Sequence, residues 1–190
     1  SISAPSGSAP TLVAAAARDD EEEINRLLTA GALINGEAPG SLPEGQPAAG
    51  LGQLFPGGVP QIPMTPLMAA TIHQKQRAAQ RLLEVGADPN HVNTLFGTPA
   101  HAATGAGNVE LLRMILDAGG NVNTRNKQGL TPLQVVANSR ATLDRLAQVQ
   151  TMMKSMNMKL PGLVDQFSKT THPTEGWAAC ERLLKERGGI

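Results

Sequence analysis

The sequence predicts an all-α solenoid, a stack of small helix pairs, and three observations carry that reading. The chain repeats itself every 33 residues, with Thr65-Pro66-Leu67-Met68, Thr98-Pro99-Ala100-His101 and Thr131-Pro132-Leu133-Gln134 opening successive units. Gly86-Ala87-Asp88-Pro89-Asn90 and Gly119-Gly120-Asn121-Val122-Asn123 each follow an opening by 21 residues. Between those marks apolar residues recur at helical spacing, as in Val109, Leu112, Ile115 and Leu116. A fixed period of this length implies supersecondary units that stack, without one closed core. Function is therefore expected on an extended surface and not in a catalytic pocket.

The first unit runs over about 9–35, with Pro10 in the place of Thr65. Ala14-Ala15-Ala16, Leu27-Leu28 and Gly31-Ala32-Leu33-Ile34-Asn35 then fall in register. Asp19-Asp20-Glu21-Glu22-Glu23 sits where its second helix begins, and carboxylates favour the positive end of a helix dipole. A contact with a basic partner is the other reading of that run. From Pro10 to Thr65 is 55 residues, an excess of 22 over the period. The segment 36–64 holds seven Gly and six Pro, which suits neither helix nor central strand. It is expected to be a long loop that replaces or extends one hairpin finger. Leu51, Leu54, Phe55, Val59 and Ile62 lie within it. Solvated linkers rarely carry so many large apolar groups, so the loop folds back on the stack or presents them to a partner.

The second unit follows from Thr65, with Leu82-Leu83 in its outer helix. In the third, Thr98 is suited to cap a helix and Pro99 to its first position. Ala100, Ala102 and Ala103 allow close packing, Gly107 allows a turn, and Asn108 opens a second helix that Gly119 and Gly120 end. The fourth unit opens at Thr131, but its second helix arrives late, as Trp177 to Arg187. Before it, the stretch 141–159 carries Leu143, Leu146, Val149, Met152, Met153, Met156 and Met158 with no Gly or Pro, which predicts a lengthened helix. Pro161-Gly162 then breaks it. Methionine is flexible and polarisable, so this cluster either fills an irregular end cap or forms an adaptable contact surface.

These residues resemble the ankyrin repeat family, with a bacterial ankyrin as the expected setting. The resemblance is closest in Thr98-Pro99-Ala100-His101-Ala102-Ala103 and in Asn126-Lys127-Gln128-Gly129-Leu130-Thr131-Pro132-Leu133. It implies one domain over 1–190, an ankyrin-repeat solenoid with repeats at about 9–35, 65–97, 98–130 and 131–190. Insertions fall at 36–64 and about 141–176, and the C-terminal cap is atypical. The family's opening His stands only at His101, being Met68 and Gln134 elsewhere. Its turn glycine, Gly107, becomes Gln74 and Arg140. Some bonds between repeats must therefore be lost or replaced, and a modestly stable stack is expected.

The resemblance further implies binding to another protein through hairpin tips and inner helices. Carried over by position, the tips are Thr94 and Leu95, then Arg125, Lys127 and Gln128. The inner helices contribute Ile72 and His73, Gly105 and Ala106, and Asn138 and Ser139. Leu51, Leu54 and Phe55 join them from the long loop. Phe96 stands where the family prefers Gly; it either anchors a contact or tucks under the loop.

Composition narrows the alternatives. Sixteen basic residues balance 16 acidic ones, which leaves no basic field for nucleic acid or an anionic membrane. With three Phe, one Trp and no Tyr, base stacking is poorly supported. Cys180 stands alone, so no internal disulfide forms, and it reads as an inert packed thiol. No apolar run is long enough to cross a bilayer. The chain begins at Ser1, which suits a trimmed tag, a removed signal peptide or a fragment, and the compartment stays open between periplasm and cytoplasm. His73, His91, His101 and His172 show no metal-ligand spacing, and no nucleophile–base motif is present. The expectation is a non-catalytic interaction module with no cofactor, metal or catalytic residue, monomeric when free. Its finer form is an inhibitor or self-protection protein for an enzyme. The alternative is a scaffold or assembly subunit that uses Met152 to Met158 and Leu160.

Overall fold

The computed structural model describes residues 11–40, 62–155 and 174–190. Seven of the described helices begin where a side chain or a neighbouring unit satisfies a first-turn N–H group. Thr11 Oγ1 accepts from Ala14 N–H at 3.1 Å and opens α1, Leu12–Arg18. The expected start used Pro10. Thr11 has the hydroxyl that a cap needs, so the helix begins one residue later. Thr65 caps α3, Pro66–Ile72, by accepting from Met68 N–H at 3.3 Å. Thr98 opens α5, Pro99–Gly105, and Thr131 opens α7, Pro132–Ser155. In these three helices proline takes the first position, where no N–H is needed.

The second helices are α2 (Glu21–Thr29), α4 (Gln76–Glu84), α6 (Val109–Asp117) and α8 (Thr174–Glu186). Asp20 and Asn108 cap α2 and α6 through side-chain oxygens at 3.1 Å. Lys75 caps α4 with no side-chain bond; Asp19 of the preceding unit instead accepts from Ala78 N–H at 2.8 Å. The acidic run is thus resolved into one inter-repeat cap, one local cap and the first turn of α2. Glu23 in that turn is held below the usual carboxylate range by its hydrogen bonds to Arg26.

Two rows result. Helices α1, α3, α5 and α7 pack in succession as one row, and α2, α4, α6 and α8 form the other. Alanines at 15, 16, 69, 70, 78, 79, 100 and 103 are buried and let the rows approach. Leu67, Leu82, Leu111, Leu112, Ile115 and Leu184 fill the space between units. Cys180 packs within this core, and burial pushes its thiol up to about 11, which keeps it inert.

The turn between paired helices needs a left-handed residue. Gly107 supplies it at φ 68°, but Asp19 and Gln74 take the same place at φ 62° and 56°. At Arg140 no turn forms, because α7 runs on without a break to Ser155. That helix has 24 residues against seven in α5. Its extra turns carry it roughly 25 Å past the point where α5 stops. The sequence-derived lengthened helix is present as far as Ser155, and residues 156–159 lie outside the described residues.

A polar ladder joins neighbouring units at the other end. Asn35 Oδ1 accepts from Asp88 N–H at 2.8 Å, Asn90 Oδ1 from Asn121 N–H at 2.7 Å, and Asn123 Oδ1 from Ile190 N–H at 3.0 Å. Asn90 Nδ2 donates to Gly119 O and Asn123 Nδ2 donates to Gly188 O. The shared pattern makes α8 the late outer helix of the fourth unit.

Within the long insertion the ends are ordered as an antiparallel pair, β1 (Ala38–Gly40) and β2 (Ile62–Met64). Pro39 faces Pro63 across the ladder, and neither has an N–H to donate, so the bonds fall to the flanking pairs. The described ends of the insertion thus pair as the base of a hairpin, finger 1, and residues 41–61 lie outside the described residues.

Two substitutions test this packing. Gln74→Gly removes a left-handed non-glycine residue and is expected to raise stability by about 1 kcal/mol in urea denaturation. Among the described residues Thr104 Oγ1 is buried without a hydrogen-bond partner. Thr104→Val keeps the shape and loses that hydroxyl, and a gain of about 1 kcal/mol is expected. A loss of stability would show that the hydroxyl has a partner.

Candidate interaction surface

Three fingers stand side by side; Asn93 and Asn126 organise the second and third, and Asn93 also braces the first. On finger 1, Ile62 and Met64 turn inward and are buried, while Pro39 and Pro63 face out. Ile62 thus folds back on the stack, which removes it from any partner face. The base of this finger is braced to the next: Asn93 Nδ2 donates to Pro63 O at 2.8 Å, and His91 Nε2 lies 2.9 Å from Glu37 Oε1. Leu51, Leu54, Phe55 and Val59 lie outside the described residues.

Finger 2 spans Asn93 to Gly97, whose backbones bond in both directions. Asn93 is buried, and its Oδ1 accepts from Leu95 and Phe96 N–H groups at 2.9 and 3.3 Å. Thr94 and Leu95 are exposed on the tip, Leu95 at 57%. Phe96 is half-buried and packs against the core. It occupies the glycine position of the repeat without strain, because Gly97 adopts the left-handed φ of 73° one residue later. A Cβ on Gly97 would fall 2.9 Å from Asn126 Cβ and 3.0 Å from His101 Cγ. Glycine at this place is therefore required twice, by conformation and by contact.

In finger 3 Asn126 Oδ1 accepts from Gln128 and Leu130 N–H groups, each at 3.0 Å. Arg125, Lys127 and Gln128 are exposed, and Arg125 spans its own turn by donating to Gly129 O at 2.7 Å. Thr94, Leu95, Arg125, Lys127 and Gln128 thus share the finger tips.

The inner-helix residues divide differently. Ile72 is only 5% exposed, so it belongs to the core and cannot meet a partner directly. As the last residue of a seven-residue helix it turns toward the neighbouring units, which sequence position alone does not reveal. His73 is half-buried, and Asn138 is exposed beside half-buried Ser139. Gly105 is exposed but its carbonyl accepts from the Trp177 indole at 3.0 Å. Gly176 comes so close to Gly107 that a Cβ there would lie 2.1 Å from its carbonyl oxygen. The start of α8 thus covers part of this surface.

A shallow groove of about 440 Å³ between α2 and α4 escaped the sequence reading. Leu28, Ala32, Leu33, Ile34 and Val85 form its apolar lining, and its one charged residue, Arg81, donates to Asn25 Oδ1 at 2.7 Å. The signal was available. Asp88 and Asn121 each accept from an N–H two residues on, whereas Leu33 stands at the equivalent place and is 78% exposed. With no acid–base pair in its lining, the groove offers no catalytic arrangement.

His101 binds two units together. Its Nδ1 accepts from Thr98 N–H at 3.2 Å, and its Nε2 lies 2.8 Å from Leu130 O. These partners assign the proton to Nε2. Burial, opposed by the Leu130 carbonyl, lowers its pKa from 6.5. Gln134 performs the same local duty in the fourth unit, with Oε1 accepting from Thr131 N–H at 3.0 Å.

Residues 67–154 match the family model for ankyrin repeats (3 copies). The chain carries ankyrin repeats. It is 40% identical over 79 residues to Ankyrin repeat and SOCS box protein 11 of Homo sapiens, covering 42% of this chain and 24% of that protein. It is 46% identical over 74 residues to E3 ubiquitin-protein ligase KEG of Arabidopsis thaliana, covering 36% of this chain and 5% of that protein. The solved human ASB11 ankyrin repeat domain aligns at 30% identity and a TM-score of 0.49, over 65% of this chain and 46% of that one. The chain thus spans a minor part of the curated relatives it matches. Ankyrin repeats are protein–protein interaction modules and in general have no enzymatic role.

The neutral imidazole gives a pH test. The unfolded chain takes up a proton at His101 before the folded chain does, so stability is full above about pH 6.5 and falls as pH drops through that value. His101→Gln keeps an acceptor for Thr98 N–H but cannot titrate. Urea denaturation from about pH 7 to about pH 5 is expected to show a shallower fall in the variant. Equal slopes would remove His101 as the cause.

Proposed function

We propose that this ankyrin stack is a non-catalytic binding protein that holds a partner protein with its finger row, and that finger 1 inserts residues 41–61 into the partner. The observation behind this reading is the braced hairpin. β1 and β2 are anchored by buried Ile62 and Met64 and tied to finger 2 by Asn93 and His91. A segment that begins and ends on a fixed base loses less freedom on binding than one on a free linker. Leu51, Leu54 and Phe55 provide it with apolar anchors. Thr94, Leu95, Arg125, Lys127 and Gln128 supply the rim. The finer reading is an inhibitor or self-protection protein of a bacterial cell, with the segment occupying an enzyme's cleft.

A second reading is an assembly subunit that docks through α7. Its support is the projection of that helix, with Val149 exposed at 53% and Met152 at 62%. Met153, Met156 and Met158, the other methionines of the cluster, have side chains outside the described residues.

One experiment separates the two. The intact chain, a variant with 41–61 replaced by an Asn-Gly turn, and Met152→Lys are used to capture partners from extract of the source cells, and any captured enzyme is assayed. Loss of capture and of inhibition only in the loop variant is the expected result. Unchanged inhibition by that variant sinks the inserting-loop reading, and loss only in Met152→Lys moves the interface to α7.

A further inference from the structure

Asn35 is followed by Gly36, and no other asparagine in the chain precedes a glycine. The other two ladder asparagines, Asn90 and Asn123, are followed by His91 and Thr124. An asparagine side-chain carbonyl is open to attack by the next backbone nitrogen, and glycine leaves that approach uncrowded. Asn35 is exposed, and its Oδ1 accepts from Asp88 N–H at 2.8 Å. That bond draws electrons from the carbonyl and sharpens the electrophilic character of Cγ. Opposing it, Gly36 N–H donates to Leu33 O at 3.0 Å, so the turn must open before the nitrogen attacks.

We propose that Asn35 is a site of self-modification at the junction of the first two repeats. The Gly36 nitrogen forms a bond to Asn35 Cγ and loses its proton. The side-chain nitrogen leaves with that proton as ammonia, and a five-membered succinimide closes. Water then adds to either ring carbonyl and breaks its bond to the ring nitrogen, giving aspartate or isoaspartate. No oxidant or reductant takes part.

The position gives the product its consequence. Aspartate still accepts from Asp88 N–H, but it sets a new negative charge between Asp88 and Glu37. Isoaspartate routes the main chain through the former side chain and adds a methylene just ahead of Glu37 and β1. The Glu37–His91 contact and the pairing of Ala38 with Met64 lie immediately downstream and must shift. Modification therefore loosens the base of finger 1. Its effect on a partner rests on the inserting-finger reading, while the chemistry itself does not.

The test ages the full native chain in warm, mildly alkaline buffer and maps peptides by mass spectrometry. Isoaspartate is quantified by isoaspartyl methyltransferase labelling. Deamidation at Asn35 is expected to run roughly tenfold faster than at Asn90 or Asn123, since only there does the attacking nitrogen belong to a residue without a Cβ. Asn35→Gln is expected to abolish the signal from that peptide while the chain stays folded. Equal rates at the three asparagines overturn the proposal. So does a native chain that keeps Asn35 intact while the urea-unfolded chain loses it, because the fold would then protect the site. Both outcomes are read without any partner, so they leave the binding reading separately testable.

Discussion

A seven-residue helix followed by a nine-residue helix cannot enclose a core, so each unit depends on its neighbour. That constraint explains the alanines at the approach of the rows and the leucines between them. It also explains why polar bonds run between units as well as within them. Asn35, Asn90 and Asn123 repeat one donor–acceptor pattern along the stack, while His101 and Asp19 each complete a helix start or a turn that belongs partly to the next unit.

Departures from the repeat are absorbed locally, and each has a physical compensation. Gln134 caps with an amide where His101 uses an imidazole. Phe96 replaces a turn glycine because Gly97 takes the left-handed conformation. Met68 gives up polar capping and is fully buried instead. Asp19 tolerates positive φ while its carboxylate caps α4. The regular frame is thereby kept, and among the described residues the largest departure is the extension of α7 past the length of α5.

That division shapes the functional surface. The tips of fingers 2 and 3 carry polar and apolar groups on backbones fixed by buried Asn93 and half-buried Asn126, so these tips are presented in a defined shape. The opposite end of the stack is partly closed by α8, through the Trp177 indole and the close approach of Gly176. Among the described residues the tips of fingers 2 and 3 are left exposed, while the end of α5 is partly covered by the start of α8.

The sequence by itself determined the period, the helix pairs, the small-residue approach and the late fourth outer helix. These are legible because local signals repeat: a threonine before a proline, a helical apolar stripe, a glycine at the close. It also located finger tips such as Leu95 and Lys127, whose exposure follows from turn position. Only the tertiary structure decided that Ile72 is core and that Phe96 leans on it, because both depend on neighbouring units across the stack. The pairing of β1 with β2 and the bracing of that hairpin by Asn93 and His91 were likewise beyond local reading. The bracing contacts join residues 30 and 54 positions apart, brought together by the stacking of one repeat on the next.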